Sequence, residues 1–427
     1  MSTLQVKPRG RRRREAEGID EERFEPNLDR RHRTGRAWRV AFRASTVIGI
    51  VALTALLYTV VIKAVGLVAV ENQVDPASLA VDGVPVQDQT KEQLLAILED
   101  HLSAGTMRRM ESEKPFAERS REEVYQLVLD RVVEPKIVAS WPLTESLLNR
   151  KAIEAEVAAE YPNASVQFRS WLNADLLRNA QSSQPELAGV RTAILGSLWT
   201  IAITILIAFP VGVGAAVYLE EYTRNNWINR IIQTNINNLA GVPSIIYGML
   251  GLAIFVRMLE PLTSGTLFGL ADPTTANGRT ILSAGLTLAL LILPLLIINA
   301  QEAIRAVPNS LRQASYGLGA TKWQTIWHHV LPNAMPGILT GTILAISRAV
   351  GETAPLVVVG VSTYIVADPS GPFSKFTTLP AQIYQWTSRP QDEFRNLAAA
   401  AIIVLLAMLL SLNAAAILLR NRYSKRW

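Results

Sequence analysis

Apolar residues fall into six long blocks, at about Arg39–Val70, Val190–Leu219, Asn235–Met258, Ile281–Ala300, Gly337–Val361 and Leu397–Leu419, separated by polar and charged segments. A block of about 20 apolar helical residues crosses roughly 30 Å of hydrocarbon. The pattern therefore predicts an all-α polytopic membrane protein with six transmembrane helices, the first at residues 39–70 and five more within 187–419. Residues 1–38 carry RGRRRRE and DRRHRTGR with almost nothing apolar, and read as a disordered basic tail. Residues 71–186 show helical spacing near Lys91–Ser103, Glu122–Val133 and Glu145–Ala159, which predicts a helical insertion. A second basic tail occupies 420–427.

Charge sets the expected orientation. Six crossings put both basic tails on one face, and an excess of Lys and Arg marks that face as cytoplasmic. The insertion 71–186 then lies outside, with 12 Lys and Arg against 20 Asp and Glu. Loops 219–234 and 301–336 fall inside. The expected location is the plasma membrane, with multiple passes and lipid as a partner.

Several chemistries are excluded. The chain has no cysteine, so disulfides, zinc–thiolate and iron–sulfur sites are ruled out. None of its four histidines, His32, His101, His328 and His329, has metal-ligand spacing with a carboxylate. No nucleophile–base pair is visible, and no Gly-x-x-x-x-Gly-Lys-Ser/Thr loop occurs. No cofactor, metal or nucleic-acid partner is expected, and any nucleotide site would lie on another subunit.

Loop 301–336 is not loop-like. Asn309 and Ser310 suit a helix start before LRQASYGL, and Gly317 and Gly319 suit its end. Thr321 suits the start of a second helix, KWQTIWHHVL, which Pro332 is expected to end. Trp323 and Trp327 stand four apart on one face, beside Lys322. Such a knob fits a groove on a partner protein, and equally an amphipathic helix lying on lipid headgroups.

The spacing Gln313-Ala314-Ser315, then Gly319, then Leu331-Pro332 resembles the EAA loop of ABC importer permeases. Gln313 replaces that family's Glu and Ser315 its second Ala, which removes a charge and keeps the helix–Gly–helix order. LAGVPSIIYGMLGLAIFV (Leu239–Val256) and SRAVGETAPLVVVG (Ser347–Gly360) resemble the permease subunits of phosphate importers. PELAGVRTAILGSLWT and FPVGVGAAVYLEEY point to the PstA type among them. The resemblance covers about 165–420. It implies a type I importer permease fold and ATPase coupling through Gln313, Ala314, Ser315, Gly319, Lys322, Trp323, Leu331 and Pro332. It also implies three partners: a homologous second permease subunit, a cytoplasmic ATPase dimer and an extracytoplasmic phosphate-binding protein.

Within the fifth block, Arg348 and Glu352 share a helix face at i, i+4. An arginine at mid-bilayer costs about 2.5–3.5 kcal/mol on insertion scales, so it must face protein, water or a partner. The pair reads either as a packing device or, by the resemblance, as an anion contact on the substrate path. Ser244 and Tyr247, beside Pro243, are further candidates for that path. Pro210, Pro243 and Pro355 are expected to interrupt backbone hydrogen bonding in their spans. The resemblance does not explain the insertion at about 75–165. The expected function is a permease subunit for inorganic phosphate. The rivals are a permease for another oxyanion or small solute, and a membrane-anchored sensor or scaffold.

Overall fold

The computed structural model describes residues 27–74, 76–80, 84–113, 115–133, 135–223, 226–270, 278–361 and 364–423. Of the two expected tails, 1–26 and 424–427 lie outside the described residues. The chain forms two units, 1–57 and 58–427.

The first unit is the bulk of helix α1 (Leu28–Lys63). It starts at Leu28, eleven residues before the expected start at Arg39, so DRRHRTGR is helical rather than disordered. Arginine is a good helix former, and Asp29 in the first turn complements the helix dipole. Ser45, Thr46 and Thr54 donate to the carbonyls four residues back, which satisfies their hydroxyls within the helix.

The first span ends at Lys63, not Val70. Val65–Asn72 is strand β1, the centre of a three-stranded antiparallel sheet ordered β2-β1-β3, with β2 at Pro135–Pro142 and β3 at Ala164–Ser170. The insertion is thus not purely helical, and among the described residues no strand lies beyond these three. The cause is alternation into two cores. Val68 and Val70 pack with Ile137, Trp171 and Phe394, while Leu67 and Ala69 pack with Ile153 and Val157. The insertion also holds α2 (Lys91–His101), α3 (Ala104–Glu113), α4 (Arg121–Val128), α5 (Leu143–Leu148), α6 (Arg150–Glu160) and α7 (Ala174–Arg178), of which α5 and α6 pack on the sheet. Capping boxes at Thr90/Gln93 and Ser120/Glu123 start α2 and α4. Those two helices close a separate small core of Leu94, Ile97, Leu98, Val124 and Val128.

The membrane part follows as α8 (Arg191–Val217, continued by a π turn to Tyr222), α9 (Trp227–Ala240), α10 (Ser244–Gly251, continued by a π stretch to Met258) and the single turn α11 (Glu260–Thr263). Next come α12 (Ile281–Arg305), α13 (Asn309–Gly317), α14 (Lys322–Thr325), α15 (Leu331–Gly351), α16 (Ala354–Val359), α17 (Leu379–Thr387) and α18 (Asp392–Tyr423). Among the described residues, five helices are long and apolar enough to cross a membrane, and the bent pair α9/α10 makes six. That third crossing is no straight span over 235–258: it begins at Trp227 and turns by 105°. Gly241 and Val242 close the turn through bonds to Asn238 and Leu239, and Pro243 offers no N–H to continue α9.

Helix α12 is the hub of the membrane part, buried along much of its length between α8, α10 and α15. It carries Ser283 and Thr287 inward, and both hydroxyls are satisfied by carbonyls, of Gly278 and Ser283.

Candidate functional site

Two features stand out: an elbow at one end of the bundle and a pair of helix breaks at its middle.

The elbow is α13–α14. Gly319 closes α13 with φ +83°, a left-handed conformation that β-carbon-bearing residues adopt at a cost. Ala320 N–H donates to Ser315 O, which completes the helix cap. A capping box of Thr321 with Gln324 starts α14. The helix then does not stop at Pro332. A π turn over Ile326–Val330 leads straight into α15, with Pro332 in its first turn, where the missing N–H breaks no bond. The elbow is therefore rigidly continuous with a membrane helix.

The sequence candidates separate into two groups here. Gln313, Ala314, Gly319, Trp323 and Pro332 are exposed. Trp323 and Trp327 stack at 5.4 Å between ring centroids, each 56% exposed. Ser315 is buried and shares a 2.9 Å hydrogen bond with Thr325, tying one arm of the elbow to the other. Leu331 is half-buried against the core of Ala300, Ile304 and Val330. Lys322 is exposed too, with its Nζ over the Tyr222 ring at 5.2 Å from the centroid.

Reading the sequence missed the groups that bolt the elbow down. Arg312 donates to Glu221 Oε1 from Nε at 3.0 Å and from Nη2 at 2.7 Å, and to the carbonyls of Val307 and Ile304. Both side chains of this ion pair are largely buried, at 15% and 7% exposure. Arg305 pairs with Glu220 at 2.6 Å, closer to solvent. The acidic pair after the second block and the two arginines were visible as charges, but nothing local joins residues 85 and 91 positions apart.

The second feature lies beside α12. Ala345 and Ala349 pack with Ala289, Leu291 and Ile292, and beyond the break Leu356 and Val359 pack with Ile281, Ala284 and Leu288, so α15 ends at Gly351 beside the first half of α12 and short of its end. Glu352 is no longer helical (φ −76°, ψ 124°), and the chain resumes as α16 with Pro355 in its first turn. Arg348 and Glu352 thus face each other across a helix end, not along an unbroken helix, with Nε 3.3 Å from Oε1. Arg348 is 42% exposed along its side chain and Glu352 18%. A helix that stops inside a bundle leaves carbonyls without intrahelical partners, an arrangement found where backbone lines a cavity or meets protein.

Helix α10 packs against α16 at this level. A β-carbon on Gly248 would stand 2.7 Å from Pro355 Cα, so only glycine permits the approach. Tyr247 is buried, and its hydroxyl donates to Leu239 O at 2.7 Å, closing the α9/α10 bend; Ser244 is half-buried at the start of α10. Two further polar ties join membrane helices: Gln233 with Gln301 through both amides, and Ser347 with Asn413 at 2.8 Å.

A polytopic bundle with broken helices and a helical elbow is the build of a membrane transport component. Residues 208–426 match the family model for the binding-protein-dependent transport system inner membrane component, and the chain belongs to that family. Over 239 residues it is 36% identical to the phosphate transport system permease protein PstA 1 of Mycobacterium tuberculosis, a match covering 56% of this chain and 71% of that one. It is 38% identical over 168 residues to the probable ABC transporter permease protein YqgI of Bacillus subtilis, covering 39% of this chain. The chain spans about half the length of that relative, 52%, and 32% of a PstA homolog from Mycoplasma pneumoniae. Among solved structures, the methionine ABC transporter MetNI in an inward-facing form aligns with TM-score 0.40 and 18% identity, over 57% of this chain and 100% of that one.

Proposed function

We propose that this chain is the PstA-type permease subunit of an ATP-driven importer moving inorganic phosphate across the cytoplasmic membrane. Both termini face the cytoplasm, and the insertion faces outward. The six crossings pair with a homologous second subunit, an external binding protein delivers phosphate, and a cytoplasmic ATPase dimer drives the cycle. The chain itself catalyses no covalent step.

In this reading the exposed face of the elbow, with Gln313, Ala314, Gly319, Trp323 and Trp327, seats in the ATPase. Its stroke enters the bundle by two routes: through α15, which continues the elbow, and through Arg312–Glu221 into the end of α8. Ser315 and Leu331 shape the elbow from within, and Lys322 and Pro332 lie on its surface. At the break, Arg348 exchanges Glu352 for two phosphate oxygens, which its guanidinium fork fits. Glu352 recovers the arginine when the substrate leaves, which keeps the contact weak enough for release. Ser244 flanks that path, and Tyr247 holds the bend beside it.

The observation that carries the reading is the partly exposed Arg348 at a helix end within the bundle, in a chain similar to phosphate permeases. The test deletes the chain from its host and follows uptake of labelled phosphate, sulfate and molybdate. Loss of phosphate uptake alone is expected. Unchanged phosphate uptake with loss of another oxyanion reassigns the substrate, and a purified complex without an ATPase favours a scaffold.

A further inference from the structure

The insertion's sheet ends on one side at β2, which pairs with β1 and with no other strand among the described residues. An open edge of this kind presents unpaired backbone groups, and proteins usually blunt or cover it. Here it is covered only in part: Asn396 of α18 donates to Ser140 Oγ at 3.1 Å, and a bulge interrupts the pairing between Ala69 and Val70. Two adjoining cavities of about 790 and 380 Å³ run along it, sharing Gln391 and Glu393 at the start of α18. The smaller is lined by β2 residues 138–141 between the end of α6 and that start of α18. The larger continues past Lys136 and Ile137. Together they form a groove whose floor is the strand edge.

One backbone donor on the outer side of the edge is engaged from within the chain. Ile137 N–H points away from β1 and donates to the Glu186 carboxylate at 3.1 Å. That donor is thus satisfied within the chain, by a side-chain oxygen and not by a strand. The walls are acidic: Glu71, Glu186 and Glu393 line the larger cavity, and Glu156, Glu160 and Asp392 the smaller, against Lys136. A second copy of this chain would bring the same carboxylates to the edge and be repelled.

We propose that this groove receives an extended, Lys- or Arg-bearing segment of another protein, added to the sheet alongside β2. Main-chain bonds to the strand edge provide affinity, and basic side chains alternating to either side meet the acidic walls. The surface lies at the end of the bundle opposite the elbow and mostly outside the residues matched by the family model. The inference is independent of the transported substrate.

The probe is a fluorescent peptide of four Lys-Val repeats, its eight residues matching the eight of β2. The full chain is placed in phosphatidylcholine nanodiscs, with empty nanodiscs as the blank, and binding is read by fluorescence anisotropy. Saturable binding is expected. It should weaken at least tenfold for the same peptide N-methylated at alternate residues, and at least tenfold for Glu156→Lys with Glu160→Lys, two exposed positions whose change leaves the fold intact. Lys136→Glu should tighten it. Absence of saturable binding overturns the proposal. So does equal binding of the N-methylated peptide, which would reduce the effect to charge, or equal binding of a Glu-Val peptide, which would remove the acidic walls from it.

Discussion

The Arg312–Glu221 pair gives the strongest test of how the elbow is held. In Glu221→Ala the guanidinium of Arg312 stays largely buried without its carboxylate. Breaking a buried pair costs about 3–5 kcal/mol when the remaining charge has nothing else to bond. Arg312 keeps two carbonyl acceptors, at 2.7 and 3.0 Å, and is 15% exposed, so about 2–3 kcal/mol is expected. The parallel Arg305–Glu220 tie does not make up the loss. Arg305 is 59% exposed, and pairs of that kind are worth about 0–1 kcal/mol. The effect should appear as local opening of α13. Hydrogen exchange of its amides, measured on the chain in nanodiscs, should accelerate about 30- to 150-fold, at tenfold per 1.4 kcal/mol, while the amides of α12 keep their protection. Replacing both partners, as Glu221→Leu with Arg312→Met, removes the stranded charge and should recover most of the protection. Unchanged exchange in the single variant, or a double variant no better than the single, refutes the claim that this pair fixes the elbow.

Three further outcomes are expected. Arg348→Gln should abolish phosphate uptake while the complex still assembles; loss of assembly instead would make the pair a packing device. Trp323→Ala with Trp327→Ala, both half-exposed, should leave thermal stability within about 0.5 kcal/mol and weaken ATPase binding at least tenfold, and undiminished co-purification would remove the aromatic face from docking. Gly248→Leu should drive α10 from Pro355 and reduce uptake, whereas Gly214→Leu, whose β-carbon meets nothing within 4 Å, should not; equal uptake in the two variants would show that the α10–α16 contact is dispensable.

Much of this protein is written locally. Apolar blocks of spanning length gave the membrane helices, because hydrocarbon thickness fixes how many residues a crossing needs. Thr321 with Gln324, and Gly319 in the left-handed region, gave the elbow's second helix and its corner, because caps and positive φ are satisfied within a few residues. The strand β1 was not legible. VGLVAV continues the apolar run of α1 without a break, and a short apolar run has no period that separates strand from helix. Its partners, Trp141 opposite Leu67 and Phe168 on the other side, lie more than 70 residues away. The same distance hid the Arg312–Glu221 bolt and the meeting of Gly248 with Pro355. Pro332 misled for a related reason: proline ends a helix only if its missing N–H was needed, and the π turn before it removes the need. The sequence alone thus determined which segments enter the membrane and where the elbow bends. Tertiary structure decided which charges pair, where helices break within the bundle and what the insertion becomes, because those outcomes depend on neighbours that the chain brings together only after folding.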